Sequence, residues 1–271
     1  MTFTDHWIHH PAGRLFARDW PALPAAGAGL PPLVLLHDSL GCVELWRDFP
    51  ALLRAATGRR VIAYDRLGFG QSDARTAPPS FDFIAEEAAV WFALLREQLG
   101  LGRFEVLGHS VGGAMAAHIA ARWPGDCAAL VTIAAQAFVE ERTLQGLRAA
   151  RASFAEPGAL DRLARYHGDK ARWVLSAWLD TWLAPAFADW SLDDVLPAVR
   201  CPLLALHGEL DEYGSAAHPR RIAEASGGPA TVQILAGLGH VPQRERPDEV
   251  VRRVAGFLST ASREGSSARR R

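Results

Sequence analysis

Gly108-His-Ser-Val-Gly-Gly113 is a G-x-S-x-G run with Ser110 at its centre. The apolar residues 104–107 before it predict a β-strand, and the alanine-rich residues 112–122 after it predict a helix. A sharp turn between a strand and a helix forces the central residue into a strained backbone conformation, and flanking glycines allow neighbouring backbone to come close. Because the start of the helix directs N–H groups at such a serine, the run predicts a nucleophile above the edge of a sheet.

Two polar residues further along the chain also follow strand-like segments. Asp211 comes shortly after the apolar residues 202–207, and His240 comes shortly after residues 231–235. In a parallel sheet the carboxyl ends of the strands meet at one edge, so we expect Ser110, Asp211 and His240 to converge there. Serine needs a base to become a nucleophile. We predict that His240 is that base and that Asp211 orients its ring.

Three further segments have recognisable patterns. The first is Leu33-Val-Leu-Leu-His-Asp-Ser-Leu-Gly41, an apolar strand followed by a polar loop. The second is Ala63-Tyr-Asp-Arg-Leu-Gly-Phe-Gly-Gln-Ser-Asp73, and the third is Gly239-His-Val-Pro-Gln-Arg-Glu-Arg-Pro247. Together with the chain order of serine, aspartate and histidine, these segments make the sequence resemble the α/β-hydrolase superfamily over nearly its whole length.

This resemblance implies an α/β fold with a mostly parallel central sheet, helices on both faces and a small inserted helical lid. The expected core covers residues 1–136 and 199–260, and the expected lid covers residues 137–198. Residues 261–271 lack an apolar period, so we expect a disordered tail there. The predicted strands follow an opening hairpin over 3–20 and lie at 33–37, 60–65, 104–108, 128–134, 202–207 and 230–236. The predicted helices lie near 44–57, 81–100, 111–123, 216–226 and 247–259.

The superfamily pattern also implies an oxyanion hole built from backbone N–H groups. One is the N–H of Val111, the residue after the serine. The second is the N–H of Ser39, in the loop after the first core strand, with Leu40 as the alternative. Asp38 departs from the pattern, because many members have glycine after this histidine. We expect the aspartate to change the shape or polarity of the loop.

The acid position has two competitors for Asp211, because Glu209 and Glu212 lie beside it. Glu212 would reach the histidine if the strand ended one residue later. We favour Asp211 because it stands three residues after Gly208, as in the Gly-x-x-Asp run that is usual in the superfamily.

Six residues are expected to line the substrate pocket. Trp178 and Trp182 lie four residues apart, so they share one face of a helix in the predicted lid. Such aromatic residues either pack in the core or form an apolar wall for an acyl chain. The full set is Leu40, Trp46, His109, Trp178, Trp182 and Val241.

Composition narrows the class of protein. A length of 271 residues with 49% hydrophobic residues suffices for one α/β domain with an insertion. The formal net charge of −1 gives no electrostatic reason to expect nucleic acid or an anionic membrane as a partner. The three cysteines are widely separated and lack C-x-x-C spacing, and no H-E-x-x-H run occurs. We therefore expect no disulfide framework, no metal and no cofactor.

The first residues lack the basic segment and apolar run of a signal peptide, and no stretch approaches a transmembrane span in length. We therefore expect a soluble cytoplasmic protein that acts on a small-molecule ester. The sequence leaves its oligomeric state open.

The expected reaction is hydrolysis of a carboxylic ester, with a short-to-medium acyl or small aromatic group, through a Ser-His-Asp triad and an acyl-enzyme. A serine at 110 disfavours the epoxide hydrolases and dehalogenases of the superfamily, which use aspartate. Many carbon–carbon bond hydrolases of aromatic catabolism carry Asn before the serine and Trp after the histidine. This chain has His109 and Val241 there, so that reaction is less favoured. The sequence is also compatible with enol-lactonase, thioesterase or perhydrolase activity, and with a slow-turnover ligand receptor or signalling protein.

Overall fold

The core of the protein is an eight-stranded β-sheet in the computed structural model, which describes residues 3–24 and 26–268. The strands are β1 Thr4–Ile8, β2 Leu15–Trp20, β3 Leu33–Leu36, β4 Val61–Tyr64, β5 Phe104–His109, β6 Cys127–Ile133, β7 Leu203–Gly208 and β8 Ala230–Leu235. They lie side by side in the order β1-β2-β4-β3-β5-β6-β7-β8. β2 pairs antiparallel with β1 and with β4, whereas the later neighbours all pair in parallel.

Burial on both faces explains why the central strands are continuous apolar runs. Every residue of β3, β4, β5 and β7 is buried, as is typical of parallel strands covered by helices on both sides. β8 lies at one edge of the sheet, and of its six residues only Leu235 is buried. The mostly parallel α/β fold predicted from the sequence is confirmed, and the six predicted core strands agree with the observed ones to within one residue at each end.

Helices form an apolar layer on each face of the sheet. The α-helices are α1 Phe49–Thr57, α2 Phe83–Glu86, α3 Phe92–Gln98, α4 Val111–Arg122, α5 Glu141–Phe154, α6 Ala159–His167, α7 Ala171–Trp182, α8 Ala217–Ala225, α9 Pro242–Glu245 and α10 Pro247–Ala268. A π-helical turn, Glu87–Trp91, joins α2 to α3. Leu33 and Leu35 of β3 pack with α1 and α10, while Val34 and Leu36 pack with α3 and α4. No helix among the described residues combines the length and apolar character needed to cross a bilayer.

The chain between β6 and β7 forms a helical insertion that contains α5, α6 and α7. Phe138 and Ser191 form an isolated antiparallel bridge, which brings the two ends of this insertion together. The ring of Trp182 lies 5.2 Å from that of Phe187 and 5.5 Å from that of Trp190. This aromatic cluster continues to Phe83 of α2, whose ring lies 6.0 Å from that of Phe187. The lid expected over residues 137–198 stays a prediction.

The C-terminal helix is longer than the sequence predicted. We expected a helix over 247–259 and a disordered tail over 261–271, whereas α10 continues to Ala268. The extension has a physical reason, because Ala261 packs in the core and the Oγ of Ser262 accepts a hydrogen bond from Arg59 at 2.7 Å. Residues 269–271 of the expected tail lie outside the described residues.

A buried ion pair joins β5 to the chain before β4. Arg59 Nε donates to Glu105 Oε2 at 2.6 Å, and Arg59 Nη2 donates to Glu105 Oε1 at 3.1 Å. Their side chains are 3% and 1% exposed. Burial raises the pKa of Glu105, although the Arg59 charge opposes this shift. The guanidinium also donates to the carbonyl of Leu258 at 3.2 Å, so one pair connects the sheet with α10.

We predict that Glu105→Gln destabilises the protein by about 3–5 kcal/mol, because it leaves the Arg59 cation buried without its counter-charge. Urea denaturation followed by circular dichroism measures the change. Asp193→Asn is the matched control, because Asp193 pairs with Arg221 at 2.6 Å on an exposed surface. Exposed pairs contribute little, so this control should unfold like the wild type. Equal losses in the two variants would contradict the prediction.

Candidate active site

Ser110 lies in a strained turn between β5 and α4. Its backbone angles are φ 55° and ψ −127°, in the left-handed half of the map that non-glycine residues rarely adopt. Two glycines make the turn possible. A Cβ at Gly108 would collide with the carbonyl oxygen of Gly112, and a Cβ at Gly112 would collide with the carbonyl oxygen of Leu36. The turn has the geometry predicted for a nucleophile elbow.

Ser110, His240 and Asp211 come together at the carboxyl edge of the sheet. His240 Nε2 lies 3.0 Å from Ser110 Oγ. His240 Nδ1 lies 2.9 Å from each carboxylate oxygen of Asp211. Because Nδ1–H donates to the carboxylate, Nε2 is the nitrogen that accepts the serine proton. The competing Glu209 accepts the N–H of Gly237 at 2.9 Å instead.

Backbone contacts hold the Asp211 carboxylate in place. Its Oδ1 accepts the N–H of Tyr213 at 2.8 Å and the N–H of Gly214 at 3.2 Å. Burial alone would raise the pKa of Asp211, but the hydrogen bond and charge of His240 outweigh it and lower that pKa. Burial likewise opposes a charge on His240, yet Asp211 outweighs it and raises the pKa of His240 above the ordinary value. The carboxylate therefore stabilises the imidazolium that forms when the serine loses its proton.

The two expected oxyanion donors belong to different chain segments, the start of α4 and the loop after β3. Val111 is the first residue of α4, so its N–H has no carbonyl one turn earlier in the helix to bond. The N–H of Leu40 already donates to Asp38 Oδ1 at 2.9 Å. That contact favours Ser39 over Leu40 as the second donor, since a free N–H is required.

The peptide that carries the Ser39 N–H is held by two side chains. Asp38 O, the carbonyl oxygen of that peptide, accepts from His37 Nδ1–H at 2.8 Å and from Arg66 Nη2–H at 2.8 Å. Burial first, and then the Arg66 charge, lower the pKa of His37 well below its usual range, so its ring stays neutral. In a planar trans peptide the N–H points opposite to the C=O. Fixing the Asp38 carbonyl therefore fixes the direction of the Ser39 N–H.

Asp38, the departure from the superfamily pattern, pairs with the residue before the serine. Its Oδ2 lies 3.2 Å from His109 Nδ1, and His109 Nε2 lies 2.8 Å from the backbone carbonyl oxygen of His240. Burial opposes the charge on Asp38, but His109 outweighs it and holds the pKa of Asp38 well below its usual range. An ionised Asp38 thus connects the oxyanion loop, through His109, to the loop that carries His240.

A cavity with room for about ten water molecules opens in front of Ser110. It contains four of the eight non-triad residues predicted from the sequence for the oxyanion hole and pocket, which are Ser39, Leu40, Trp178 and Trp182. The complete lining is Asp38, Ser39, Leu40, Ser110, Gln136, Thr143, Leu147, Trp178, Trp182, Tyr213 and His240. Among the described residues, no three His, Cys, Asp or Glu side chains form a group that could hold a metal ion.

Three expected pocket residues do not line this cavity. Trp46 is buried instead against Phe49, with stacked rings 5.8 Å apart. His109 lies beneath the site, with 1% of its surface exposed. Val241 directly precedes α9, and its N–H donates to Glu245 Oε1 at 3.2 Å.

Sequence reasoning missed several residues that do line the cavity. Gln136 Oε1 lies 3.3 Å from Ser110 Oγ, and the ring of Tyr213 lies 4.8 Å from that of His240. Both residues follow strand ends at the same edge of the sheet, so the argument that located Asp211 could have found them. Thr143 and Leu147 lie on α5, where no sequence signal marks the face turned to the site.

Comparison with known proteins identifies the family. Residues 31–179 match the family described as the α/β hydrolase fold. The dihydrolipoyllysine-residue acetyltransferase component of the acetoin cleaving system of Pseudomonas putida is 30% identical over 256 residues, which cover 86% of this chain and 64% of that protein. The 1-acylglycerol-3-phosphate O-acyltransferase ABHD5 of Homo sapiens is 37% identical over 118 residues, which cover 42% of this chain and 32% of that protein. The chain therefore spans less than two thirds of the length of each relative.

Solved structures share the fold at lower identity. Proline iminopeptidase from Mycobacterium smegmatis superposes with a TM-score of 0.71 and 23% identity, covering 97% of this chain and all of that one. Naproxen esterase (carboxylesterase NP) from Bacillus subtilis superposes with a TM-score of 0.72 and 18% identity, covering 95% and 92%. The family match covers more than half of the sequence, and the sheet order and strained serine turn agree with it. This protein belongs to the α/β hydrolase fold family.

Proposed function

We propose that this protein is a serine hydrolase that cleaves a carboxylic ester with a short-to-medium acyl or small aromatic group. The observation that carries the proposal is the chain of contacts from Ser110 Oγ through the His240 ring to the Asp211 carboxylate. Ser110 and His240 line a largely apolar cavity, which is the usual setting for a small-molecule site. Family membership supports the same class of reaction.

The proposed reaction begins when Ser110 Oγ attacks the ester carbonyl carbon and its proton passes to His240 Nε2. The tetrahedral intermediate places its oxyanion between the N–H groups of Val111 and Ser39. His240 returns the proton to the leaving alkoxide, so an alcohol departs and an acyl-enzyme remains. A water molecule then repeats the steps on the acyl-enzyme, with His240 as base, and releases the carboxylic acid.

The oxyanion donors contribute most when their directions are fixed before the substrate binds. Loss of one such donor costs roughly 3 kcal/mol of barrier in comparable enzymes. His37 and Arg66, which hold the Asp38 carbonyl, support the proposal because they prevent rotation of the peptide that carries the Ser39 N–H. Because the folded protein already holds this peptide in place, substrate binding does not have to order it at each turnover.

We propose that the insertion over residues 137–198 serves as a lid over the site. Trp178 and Trp182 of α7 line the cavity together with Leu147 of α5, and these side chains give it an apolar wall. Each buried CH₂ of an acyl chain would add at most about 0.8 kcal/mol of binding. Exclusion of water by the insertion would also strengthen the polar contacts around Ser110.

Enol-lactonase, thioesterase, perhydrolase and carbon–carbon bond hydrolase activities would use the same contacts around Ser110. A slow-turnover receptor would keep them too, but would stop after about one event per molecule. A screen across esters, lactones, thioesters and ring-cleavage dienoates, with turnover counted against enzyme, separates these possibilities. Sustained turnover of esters above all other substrates is the expected result.

We predict that a fluorophosphonate labels Ser110 once per chain, because His240 Nε2 lies 3.0 Å from its Oγ and can act as a base. Intact-protein and peptide mass spectrometry locate the adduct. Ser176→Ala, on the exposed face of α7, is the control that should label fully. An adduct at another serine would rule out the mechanism.

The variants Ser110→Ala, His240→Ala and the double variant should all fall to a similar residual rate of ester hydrolysis, because the residues act as a unit.

We predict that kcat/KM rises with pH and reaches half its maximum above pH 6.5, the ordinary histidine value. His240 must be neutral to accept the serine proton, and the nearby Asp211 charge raises the pKa at which it becomes neutral. Asp211→Asn should lower the rate and move the midpoint down. Glu212→Gln, which removes a more distant charge, is the control and should have a smaller effect. A larger loss in Glu212→Gln would overturn the assignment of Asp211.

We predict different effects for the two cavity tryptophans. Trp182 is 3% exposed and packs against Phe187 and Trp190, so Trp182→Ala should cost about 3–5 kcal/mol of stability. Trp178 is only partly buried and lies 5.8 Å from the Tyr213 ring, so Trp178→Ala should change acyl-chain preference more than stability. Values of kcat/KM over an acyl series and unfolding midpoints measure both. A chain-length preference unchanged in Trp178→Ala would refute its pocket role.

A further inference from the structure

A second cavity lies directly beside the one that contains Ser110. Ser39, Trp178 and Trp182 line both cavities, so these residues form a shared wall between them. The second cavity is narrow, with room for about two water molecules. Its lining includes the charged side chains of Arg66, Arg75 and Glu87.

Arg66 is a buried cation without an ion pair. The residue is 5% exposed, and among the described residues its guanidinium has one hydrogen bond, from Nη2 to the carbonyl of Asp38 at 2.8 Å. Its Nε has no hydrogen-bond partner within the described chain. Phe69 covers one face of the guanidinium, with the ring centroid 4.0 Å away. A buried charge without a partner is costly for a fold to keep.

The other charges at this cavity are already partnered or easily neutralised. Arg75 forms two hydrogen bonds with Glu86, at 2.9 and 3.3 Å. Glu87 accepts the hydroxyl hydrogen of Tyr64 at 2.7 Å, and burial raises the pKa of Glu87 to about 7. Near neutral pH, Glu87 can therefore take up a proton at little cost when another anion approaches Arg66.

The backbone around Glu87 is also unusual. Glu87 begins the π-helical turn between α2 and α3, and Trp91, another cavity residue, ends it. Single π-helical turns are rare and occur frequently at functional sites. Two of the three lining residues on this stretch, Glu87 and Trp91, thus belong to the irregular turn, and the third is Phe83 at the start of α2.

We propose that Arg66 binds a carboxylate carried by the substrate, so that the preferred esters are those with a free carboxylate beyond the scissile bond. This inference rests on the proposed ester hydrolysis. A guanidinium recognises a carboxylate through two parallel hydrogen bonds, and a carboxylate is similar in size to the two water molecules for which the cavity has room. The Asp38 carboxylate lines the Ser110 cavity and disfavours an anion there. The substrate carboxylate therefore lies at Arg66, past Trp178 and Trp182.

The test compares matched pairs of esters at pH 6.5 by titration of the released acid. One arm places the carboxylate on the acyl side, with monoethyl succinate, glutarate and adipate against ethyl pentanoate, hexanoate and heptanoate. The other arm places it on the alcohol side, with butanoyl esters of glycolate and 3-hydroxypropanoate against propyl and butyl butanoate. We expect at least a tenfold higher kcat/KM for a carboxylate ester in one arm. Equal or faster hydrolysis of the neutral ester in every pair would overturn the proposal.

Variants on the two charged residues should move this preference in opposite directions. Arg66→Gln should reduce the ratio of carboxylate to neutral ester at least tenfold. Arg66 also holds the oxyanion peptide, but that loss affects both esters and cancels in the ratio. Glu87→Gln keeps an acceptor for Tyr64 and removes the repelling charge, so the ratio should rise. An unchanged ratio in Arg66→Gln would overturn the proposal, and if that variant does not fold, the wild-type ratio decides.

The pH dependence of the ratio is a separate readout. Tyr64, Arg66, Glu86 and Arg75 are the groups that set the charge of Glu87. As the pH rises through about 7, Glu87 ionises and competes for Arg66, so the preference for the carboxylate ester should fall. Titration of His240 affects both esters and cancels. Glu87→Gln should remove the decline, and a decline that persists in this variant would count against the proposal.

The experiments distinguish a failure of the proposed ester hydrolysis from a failure of the proposed carboxylate site. If no ester is hydrolysed, the serine hydrolase proposal is wrong, and carboxylate binding is then measured directly. Calorimetric titration of Ser110→Ala with monoethyl glutarate should show binding that ethyl hexanoate lacks and that Ser110→Ala/Arg66→Gln loses. Equal binding of the two compounds would overturn the carboxylate site. Hydrolysis of neutral esters without a preference would overturn only the carboxylate site and leave the serine mechanism intact.

Discussion

The close approach of Gly112 to the end of β3 is the constraint on which the site depends. With no side chain at Gly112, the first turn of α4 packs directly on the backbone carbonyls of Leu36 and His37. That contact brings the helix start beside the loop that begins two residues before Ser39. The N–H of Val111 and the N–H of Ser39 therefore belong to two chain segments that touch through backbone alone. A methyl group at 112 would force these segments apart, and the strained turn at Ser110 would lose its support.

Much of the fold and the approximate position of the candidate site could be predicted from the sequence. Apolar runs bounded by glycine and polar residues identify the parallel strands, because strands buried on both faces leave such runs. The ends of β7 and β8 then locate Asp211 and His240, since parallel strands share one carboxyl edge. Contact between these residues could be expected without any knowledge of the helices around them.

The pocket side chains could not be predicted in the same way. Trp46 and Trp178 both stand near the site in sequence, but which way an aromatic ring turns depends on tertiary packing. Trp46 packs on Phe49, whereas Trp178 reaches the cavity. No sequence pattern shows that the Arg66 guanidinium reaches the Asp38 carbonyl, because that contact joins two separate loops. The longer α10 was missed because the contacts of Ala261 and Ser262 come from distant segments.

Two buried arginines show how differently a fold can use the same side chain. Arg59 is surrounded by Glu105, the Leu258 carbonyl and Ser262, so its charge is matched within the chain and ties β5 to α10. The Arg66 guanidinium donates to the Asp38 carbonyl and lies against the face of the Phe69 ring. An uncompensated buried charge destabilises the folded state. A structural role within the fold therefore accounts for the burial of Arg59 but not for that of Arg66.

The position of Arg66 also makes the two cavities thermodynamically linked. Its Nη2 holds the peptide of the proposed oxyanion donor, while the guanidinium lines the neighbouring cavity. Any anion that changes the hold of Arg66 on that peptide changes the affinity of the Ser110 site for a tetrahedral ligand. By reciprocity, a tetrahedral adduct on Ser110 must change the affinity of the neighbouring cavity for the anion by the same factor. With the proposed anion bound, one side chain would thus supply a coupling free energy between two ligands, without any movement of subunits.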